Sequence, residues 1–186
     1  LVGSEMCIRD RNTDIELSKA ERENFTELIN TNSDLLLNLI NDILDLSRIE
    51  SGRMSFSFQQ YSLNELISTI YQTFQVLMPE NVELRMQIPE KSISIPTDKL
   101  RLTQVITNFL SNAIKFTQKG YILIGYEYRE EGRHVHIFVE DTGIGIPKEK
   151  QDAVFNRFTK LDEFAKGTGL GLSICKVIAE RFDGYI

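Results

Sequence analysis

The sequence predicts an α/β protein in which helices cover one face of a mixed β-sheet as a two-layer sandwich, preceded by one long helix. Two observations predict this fold class. Apolar residues recur with a period of seven over roughly 30 residues near the amino terminus, which is typical of a helix in a bundle. Farther along, strand-like alternation and helix-like periodicity follow one another, as expected for helices packed on one sheet. The 186 residues suffice for one core and a helical extension.

The first predicted element is a long helix that begins near Ser18 and ends before Gly52. Ser18 and Glu21 form a capping-box pattern, which satisfies free N–H groups at a helix start. The apolar stripe of this helix contains Leu28, Ile29, Leu35, Leu36, Leu39, Ile40, Ile43, Leu44, Leu46 and Ile49. Because so wide a stripe is not stable in water on a lone helix, we expect it to be buried in a helical bundle or dimer.

The rest of the chain alternates between strand and helix patterns. Ser62 and Glu65 form a second capping box, and Pro79 limits the helix that follows it. A turn is expected near Glu131 and Gly132. The predicted elements are strand 55–58, helix 62–78, strands 82–88 and 92–95, helix 98–116, strands 121–128 and 135–139, a short helix 148–155, a helix 169–182 and the start of a strand at 184–186.

Composition and charge exclude several classes of protein. The net charge is -6 and the pI is about 5.1, without the basic patch of a nucleic-acid-binding protein, so we expect no nucleic-acid partner. No apolar run approaches the roughly 18–20 residues that span a bilayer. Two cysteines without a CxxC motif argue against a disulfide framework or a structural zinc site. His134 and His136 have no third ligand nearby in sequence, so we interpret them as a solvated or half-buried pair.

The first pattern that carries chemistry lies in the predicted helix 98–116. Asn108, Asn112 and Lys115 are spaced four and three residues apart, so they share one helix face. Amide oxygens are neutral ligands that suit Mg²⁺, and a lysine neutralises phosphate charge. A solvated polar face is the alternative for this pattern taken alone.

Two glycine-rich patterns follow. Asp141, Gly143 and Gly145 come directly after an apolar strand, where glycines permit a sharp turn and a close approach to a ligand. An aspartate at the strand end can accept a hydrogen bond from an exocyclic amine. The segment 167–172 leads into a helix, and free N–H groups at a helix start favour an anion such as phosphate. Each pattern alone also occurs in ordinary turns and flexible loops.

In this order and spacing, the three patterns resemble the N, G1 and G2 boxes of sensor histidine kinases, in the GHKL ATPase superfamily. Phe155 and Phe158 lie between the last two patterns, where that family has its F box. The approach to the N box also matches, at Asp98, Arg101 and Gln104. The segment 39–52 resembles the second helix of the family's dimerisation and phosphoacceptor domain. The resemblance covers residues 12–186 and implies a Bergerat-type ATP-binding fold.

The resemblance implies a site for ATP and Mg²⁺ built from these patterns. Asn112 would ligate Mg²⁺ with help from Asn108, and Lys115 would contact phosphate, so that Asn108 and Lys115 are the expected catalytic residues. Asp141 would accept a hydrogen bond from the adenine amino group. The other implied ATP-binding residues are Gly143 and Gly145 around the adenine, Phe155 and Phe158 in the lid, and Gly167, Thr168, Gly169, Leu170, Gly171 and Leu172 at the β- and γ-phosphates.

The resemblance also implies an activity. The parent protein would use Mg·ATP to phosphorylate its own histidine, and an aspartate of a response regulator would then receive the phosphoryl group. Related ATPases have a water-activating glutamate where this chain has Asn108, and an amide cannot act as a base, which favours transfer over hydrolysis. The family's phosphoacceptor motif is absent from the sequence. Because His134 and His136 lie between the N and G1 boxes, we expect neither to be the acceptor.

The resemblance divides the chain at residue 53. Residues 12–53 would be the last part of a helical hairpin through which the parent forms a homodimer, and residues 54–186 an ATP-binding domain truncated at its C-terminus. Residues 1–11 match no pattern downstream, and we interpret them as a translated sequencing adapter, with a genuine disordered terminus as the alternative. The piece would be a cytoplasmic module of a membrane-anchored parent.

Several interpretations stay open at this point. Asp45, Ser47 and Arg48 lie on the helix that would face the regulator, although a solvated helix face explains them equally well. A pseudokinase that binds nucleotide only as a structural ligand is the second functional hypothesis, which a binding measurement separates from the first. A GHKL-type ATPase or an anti-sigma-type serine kinase is the third, and phosphate release would identify the hydrolase.

Overall fold

A computed structural model of the chain describes residues 18–129, 134–159 and 168–186. The backbone forms two compact units, Leu1–Asn41 and Asp42–Ile186, and the division falls inside the first helix. The boundary at residue 53 concerns the family's domains and stays a prediction. In the described part of the chain, no helix is long and apolar enough to cross a membrane.

Helix α1 spans Lys19–Glu50. At its start the Glu21 N–H donates to the Ser18 hydroxyl (3.3 Å) and the Ser18 N–H donates to the Glu21 carboxylate (2.9 Å), which confirms the predicted capping box. After its end, Gly52 adopts a φ of +67°, a left-handed conformation that glycine reaches at little cost. In the first unit the helix leaves large apolar side chains exposed, among them Leu28, Ile29, Leu36 and Leu37. A helical bundle buries such a surface.

Two sheets form in the second unit. Strands β1 (Gln59–Ser62) and β3 (Ser94–Thr97) pair antiparallel in a two-stranded sheet. Strands β2 (Val82–Gln87), β4 (Gly120–Arg129) and β5 (His134–Asp141) form a three-stranded sheet in the order β2-β4-β5. In that sheet β2 runs parallel to β4 and β5 runs antiparallel to it, so the sheet is mixed, as predicted.

Helices α2 (Leu63–Gln75) and α3 (Lys99–Phe116) share one hydrophobic core with the three-stranded sheet. The β4 residues of this core alternate along the strand and therefore point to one face: Ile122, Ile124 and Tyr126. Helix α4 (Gly171–Arg181) packs against α3 in a second apolar cluster, which includes Ile174, Ile178 and, from the end of α1, Leu46 and Ile49. The two-layer α/β architecture is thereby confirmed.

Some predicted elements differ from the structure. The segment 55–58 is not a strand, because the Ser57 N–H donates to the Asp98 carboxylate (2.8 Å) instead of to a neighbouring strand. The strand lies four residues later, in β1. The predicted short helix 148–155 is two 3₁₀ turns, Lys148–Lys150 and Ala153–Phe155.

The chain end also differs from its prediction. Residues 184–186 form no strand, because the Gly184 N–H donates to the Ala179 carbonyl (2.9 Å) and closes the end of α4. Helix α2 ends at Gln75, three residues before the predicted end. The turn predicted near Glu131 and Gly132 lies outside the described residues.

Candidate functional site

Helix α3 carries the first group of predicted site residues. Asp98 caps its start by accepting a hydrogen bond from the Arg101 N–H (3.1 Å). Leu102, Ile106, Leu110 and Ala113 bury the opposite face and thereby fix the rotation of the helix about its axis. Asn108 and Asn112 are half-buried, and Lys115 is exposed near the helix end with its ammonium over the Phe116 ring (4.9 Å to the centroid).

The loop after β5 packs against the end of α3. Antiparallel pairing places Asp141 opposite Ile122 of β4, and the Ile144 N–H donates to the Phe116 carbonyl (3.3 Å). A Cβ on Gly143 would lie 2.5 Å from that carbonyl oxygen. The close approach of the two backbones therefore requires glycine at this position.

The Asp141 carboxylate is oriented by its neighbours. Its Oδ1 accepts hydrogen bonds from the Gly143 N–H (2.8 Å) and the Thr117 hydroxyl (3.4 Å). The described residues provide no hydrogen bond to Oδ2. The carboxylate is thus held at one oxygen while the other is available to a donor on a ligand.

The third group lies where the chain enters α4. A Cβ on Gly171 would lie 2.6 Å from the Asn108 Oδ1, so the first residue of α4 touches the amide in the middle of α3. Gly169 has a φ of +72°, and a Cβ there would lie 2.9 Å from the Phe158 backbone carbon. Thr168 and Leu170 are described as well, whereas the predicted site residue Gly167 lies outside the described residues. The structure therefore brings the start of α4 against Asn108 of α3.

The segment of the predicted F box contacts the same loop. The Phe158 N–H donates to the Gly169 carbonyl (2.9 Å), and Phe158 takes a positive φ of 61° with its ring exposed. Phe155 is half-buried, and the buried residue of this segment is Val154, for which no sequence pattern predicts a role. Phe158 therefore contacts the loop before α4 through its backbone, and the roles of the two rings over a nucleotide stay predictions.

Asp45 lies at the centre of a polar cluster near the end of α1. Its carboxylate accepts hydrogen bonds from Arg101 Nη1 (2.9 and 3.1 Å) and from the Gln104 amide (2.8 Å). Only 7% of the residue is exposed. Both interpretations offered for Asp45, a surface facing a regulator and a solvated helix face, are therefore wrong for this residue. The sequence contained Arg101 and Gln104 as part of a motif, but nothing in it identified their partner.

Asp42, one turn earlier on α1, contacts the loop before α4. Its Oδ2 accepts a hydrogen bond from the Thr168 hydroxyl (2.7 Å). Burial raises the pKa of Asp42, the Thr168 hydrogen bond opposes that rise, and the charge of Asp45 adds to it. Sequence reasoning missed Asp42, since a contact across 126 positions leaves no local signal.

The donor set of the site suits one class of metal. Among the described residues, His, Cys, Asp and Glu form no cluster of three that could hold an ion. Neither the Asn108 nor the Asn112 amide has a hydrogen-bond partner among the described residues, and Gly171, lacking a Cβ, leaves room beside Asn108. Two neutral amide oxygens fit Mg²⁺ that is held mainly by water and phosphate, and do not fit a zinc or transition-metal centre.

Comparison with known proteins finds histidine kinases and histidine kinase-like ATPases. Residues 97–186 match the family model described as histidine kinase-, DNA gyrase B-, and HSP90-like ATPase. The chain is 35% identical to two-component system protein A of Emericella nidulans, over 94% of this chain and 27% of that protein. It is 37% identical to sensor histidine kinase RcsC of Escherichia coli, over 85% of this chain and 17% of that protein. The chain thus spans about a quarter or less of these curated relatives.

Solved structures of similar fold belong to the same group. The catalytic domain of histidine kinase ThkA is 32% identical, with a TM-score of 0.59, over 67% of this chain and 81% of that domain. Full-length ShkA in complex with AMPPNP has a TM-score of 0.75 at 27% identity, over 90% of this chain and 35% of that one. ThkA in complex with the response regulator TrrA has a TM-score of 0.71 at 26% identity, over 98% of this chain and 50% of that one.

Proposed function

The chain belongs to the histidine kinase family, and from this premise we propose that it is the ATP-binding catalytic part of a two-component sensor kinase. The whole protein would transfer the γ-phosphoryl group of ATP to one of its own histidines and then to an aspartate of a response regulator. The contact of Gly171 with the Asn108 amide is the observation that supports the proposal most directly, since Gly171 is a proposed phosphate-binding residue and Asn108 a proposed magnesium ligand.

The adenine would bind at the loop after β5. The Asp141 carboxylate, held at Oδ1, can accept a hydrogen bond from the adenine amino group at Oδ2. Gly143 and Gly145 would shape the pocket, and Ile144 and Ile146 expose apolar side chains in the same loop that a flat ring could cover. A polar anchor with apolar neighbours is the usual composition of a nucleobase site.

The phosphates would bind between α3 and the start of α4. Free N–H groups at a helix start favour anions, and Lys115 adds a positive charge. The residues proposed to hold the β- and γ-phosphates are Gly167, Thr168, Gly169, Leu170, Gly171 and Leu172. Asn112 would ligate Mg²⁺ with Asn108 beside it, and the ion would neutralise phosphate charge. Phe155 and Phe158 would belong to the lid over the nucleotide.

The chemistry of residue 108 favours transfer to a protein over hydrolysis. An amide does not take a proton at neutral pH, so Asn108 can orient a ligand but cannot activate water as a carboxylate would. His134 and His136 lie on β5, and His136 contacts Glu127 on the neighbouring strand (3.2 Å). We therefore assign the acceptor histidine to the whole protein outside this pair.

The same premise suggests partners. The exposed apolar side chains of α1 would be covered in a homodimer through the helical hairpin to which residues 12–53 are assigned. A receiver domain of a response regulator would be the second partner. The ATP-binding domain would comprise residues 54–186.

The first test is calorimetric titration of the chain with Mg·ATP and, separately, with adenosine. We expect both to bind, and Asp141→Asn to weaken both, since the substitution replaces an acceptor that both ligands share. Asp152→Asn, an exposed aspartate on the turn between the two 3₁₀ segments, is the matched control and should bind as the unmodified chain does. Absence of binding by a cooperatively folded chain would refute the proposal. Phosphate release at a rate that matches ATP consumption would instead favour a hydrolase. Nucleotide binding without any phosphoryl transfer in the whole protein would favour a pseudokinase.

A further inference from the structure

Two hydrogen bonds in series connect the start of α4 to Asp42. The Leu170 N–H donates to the Thr168 hydroxyl oxygen (3.2 Å), and that hydroxyl donates its own proton to the Asp42 carboxylate (2.7 Å). Leu170 immediately precedes the first residue of α4, so its N–H is one of the free donors at the helix start. The Leu170 N–H, which could otherwise donate to a phosphate, therefore already donates to Thr168. The negatively charged Asp42 carboxylate accepts the second hydrogen bond of the series.

The charge on Asp42 is poorly compensated. Within the described residues no lysine or arginine forms an ion pair with it, whereas Asp45, one turn away, forms ion pairs with Arg101 and Arg48. Asp42 is half-buried, and its neighbours include the second carboxylate of Asp45. The Thr168 hydroxyl is its one hydrogen-bond donor among the described residues. An anion placed in this way is attracted by the free N–H groups at a helix start.

We propose that Asp42 is an internal anion that competes with nucleotide phosphate for two donors, the Thr168 hydroxyl and, through it, the Leu170 N–H. The Asp42–Thr168 hydrogen bond and ATP binding would therefore exclude each other. This inference rests on the proposed function, because it requires the phosphates to bind at that loop. A polyphosphate there would meet a carboxylate of the same charge two hydrogen bonds away, and would need the Thr168 hydroxyl and the Leu170 N–H for itself.

The exclusion has a reciprocal consequence. If nucleotide weakens the Asp42–Thr168 contact, then loss of that contact must strengthen nucleotide binding by the same factor. Because Asp42 lies on α1, phosphate binding would break a hydrogen bond between that helix and Thr168. The adjacent contacts of Asp45 with Arg101 and Gln104 involve no residue of the phosphate loop and would persist.

The test compares calorimetric affinities of the full chain and of Asp42→Asn for Mg·ATP and for adenosine. Asparagine keeps the shape of the side chain and an oxygen that accepts from Thr168 but removes the charge. We expect Asp42→Asn to bind Mg·ATP about five-fold or more tightly than the unmodified chain, the lower end of typical coupling between sites. Adenosine, which lacks phosphates, should bind both proteins equally.

A matched control separates this effect from net charge. Glu180→Gln removes the same charge from an exposed position near the end of α4, and should leave both affinities unchanged. Equal strengthening by Glu180→Gln and Asp42→Asn would overturn the proposal, as would unchanged or weaker Mg·ATP binding by Asp42→Asn. If Asp42→Asn does not unfold cooperatively, Asp42→Ala repeats the comparison, because alanine is favourable inside a helix.

The failure of this inference differs from that of the proposed function. An unmodified chain that binds neither adenosine nor Mg·ATP refutes the proposed function and the inference together. Binding of both ligands with no gain in Asp42→Asn refutes only the role of Asp42. Binding of adenosine by the unmodified chain, with Mg·ATP bound tightly only after the substitution, is the strongest support.

Discussion

Asp45 and Arg101 form an ion pair in which both side chains are about nine-tenths buried, 10% and 12% exposed. One guanidinium nitrogen donates to both carboxylate oxygens and to Gln104 Oε1 (2.8 Å), while the Gln104 amide donates back to the carboxylate. The three residues therefore form a closed polar cluster between the end of α1 and the first turns of α3. This cluster fixes the helix that carries the candidate magnesium ligands.

We predict that Arg101→Ala lowers the free energy of unfolding by about 3–5 kcal/mol, the usual cost of leaving a buried charge without its partner. Asp45→Ala should cost a similar amount, and the double substitution much less than the sum of the two. Urea denaturation of the four proteins in a double-mutant cycle measures this coupling.

The pair of Arg85 and Glu83 serves as the control for that cycle. Its two side chains are joined by hydrogen bonds of similar length but are exposed to water. Water screens such a pair, so the coupling between Arg85→Ala and Glu83→Ala in the same kind of cycle should be close to zero. The single substitution Arg85→Ala also removes a contact of the guanidinium with the Tyr121 ring (4.3 Å to the centroid), so the coupling is the quantity to compare. Additive costs for Asp45 and Arg101 would contradict the interpretation of the buried cluster as one unit.

Tyr126→Phe should destabilise the second unit by about 1–3 kcal/mol, because it leaves buried polar groups without a partner. The Tyr126 hydroxyl donates to Asn64 Oδ1 (2.5 Å) and accepts from the Ile93 N–H (3.4 Å), and only 1% of the residue is exposed. Thermal denaturation measures the change. Tyr61→Phe, which removes an exposed hydrogen bond to Gln59, should have little effect, and equal losses would refute the assignment.

Gly171→Ala tests the contact between α4 and Asn108. An added Cβ would lie 2.6 Å from the Asn108 Oδ1, so the amide must move away. Because the displaced atoms end a side chain, we expect nearly unchanged stability but Mg·ATP affinity at least about ten-fold weaker, or roughly 1.4 kcal/mol.

Gly52→Ala is the matched control for that substitution. Gly52 has a φ of +67° with open space around its Cβ position and lies outside the candidate site. Its substitution should cost about 1–2 kcal/mol of stability through backbone strain and leave nucleotide affinity unchanged. If Gly171→Ala lowers the stability but leaves Mg·ATP affinity unchanged, Gly171 does not act on the nucleotide through Asn108.

Cys175 should resist alkylation in the folded protein. Burial, with a smaller effect from the nearby charge of Asp42, raises the pKa of this thiol to about 12. At pH 8 only about 10⁻⁴ of the thiol would then be thiolate, the reactive form. In a Cys7→Ser background, iodoacetamide should label Cys175 only as fast as the helices around it open. Rapid labelling without denaturant would contradict the packing of α4 on α3.

Asp42→Asn should change how stability depends on pH. The folded-state pKa of Asp42 lies above the ordinary value of 3.8, so ionisation is less favourable in the folded than in the unfolded chain. The contribution of Asp42 to the free energy of unfolding is therefore most favourable below pH 3.8, where the carboxyl is protonated in both states. It is lost as the pH rises through the raised folded-state pKa. The groups around it are Asp45 on α1, which adds to the rise, and the thiol of Cys175 on α4, which stays neutral.

We therefore expect Asp42→Asn to be more stable than the unmodified chain at pH 7, with the difference shrinking towards pH 4. Urea denaturation at several pH values measures it, with Glu180→Gln as the charge-matched control. A difference that is constant with pH would show that Asp42 titrates at its ordinary pKa in the folded chain.

Many elements could be predicted because their signals are local. The capping boxes at Ser18 and Ser62 place helix starts within one residue, since a side chain and an N–H three residues later decide them. The prediction of a strand at 55–58 is wrong because a distant contact decides the structure of that segment. Alternation there is correct for a strand, but the carboxylate of Asp98, far along the chain, takes the Ser57 N–H.

The sequence alone predicts the family, most of the helices and strands, and the chemical types of residue in the candidate site. It could do so because glycine, amide and carboxylate residues at fixed local spacing carry that information. Three contacts appear only in the folded chain: Asp45 is buried against Arg101, Asp42 accepts a hydrogen bond from Thr168, and Gly171 touches Asn108. Such contacts join residues separated by dozens of positions, and their energies depend on burial and distance, which the order of residues does not contain.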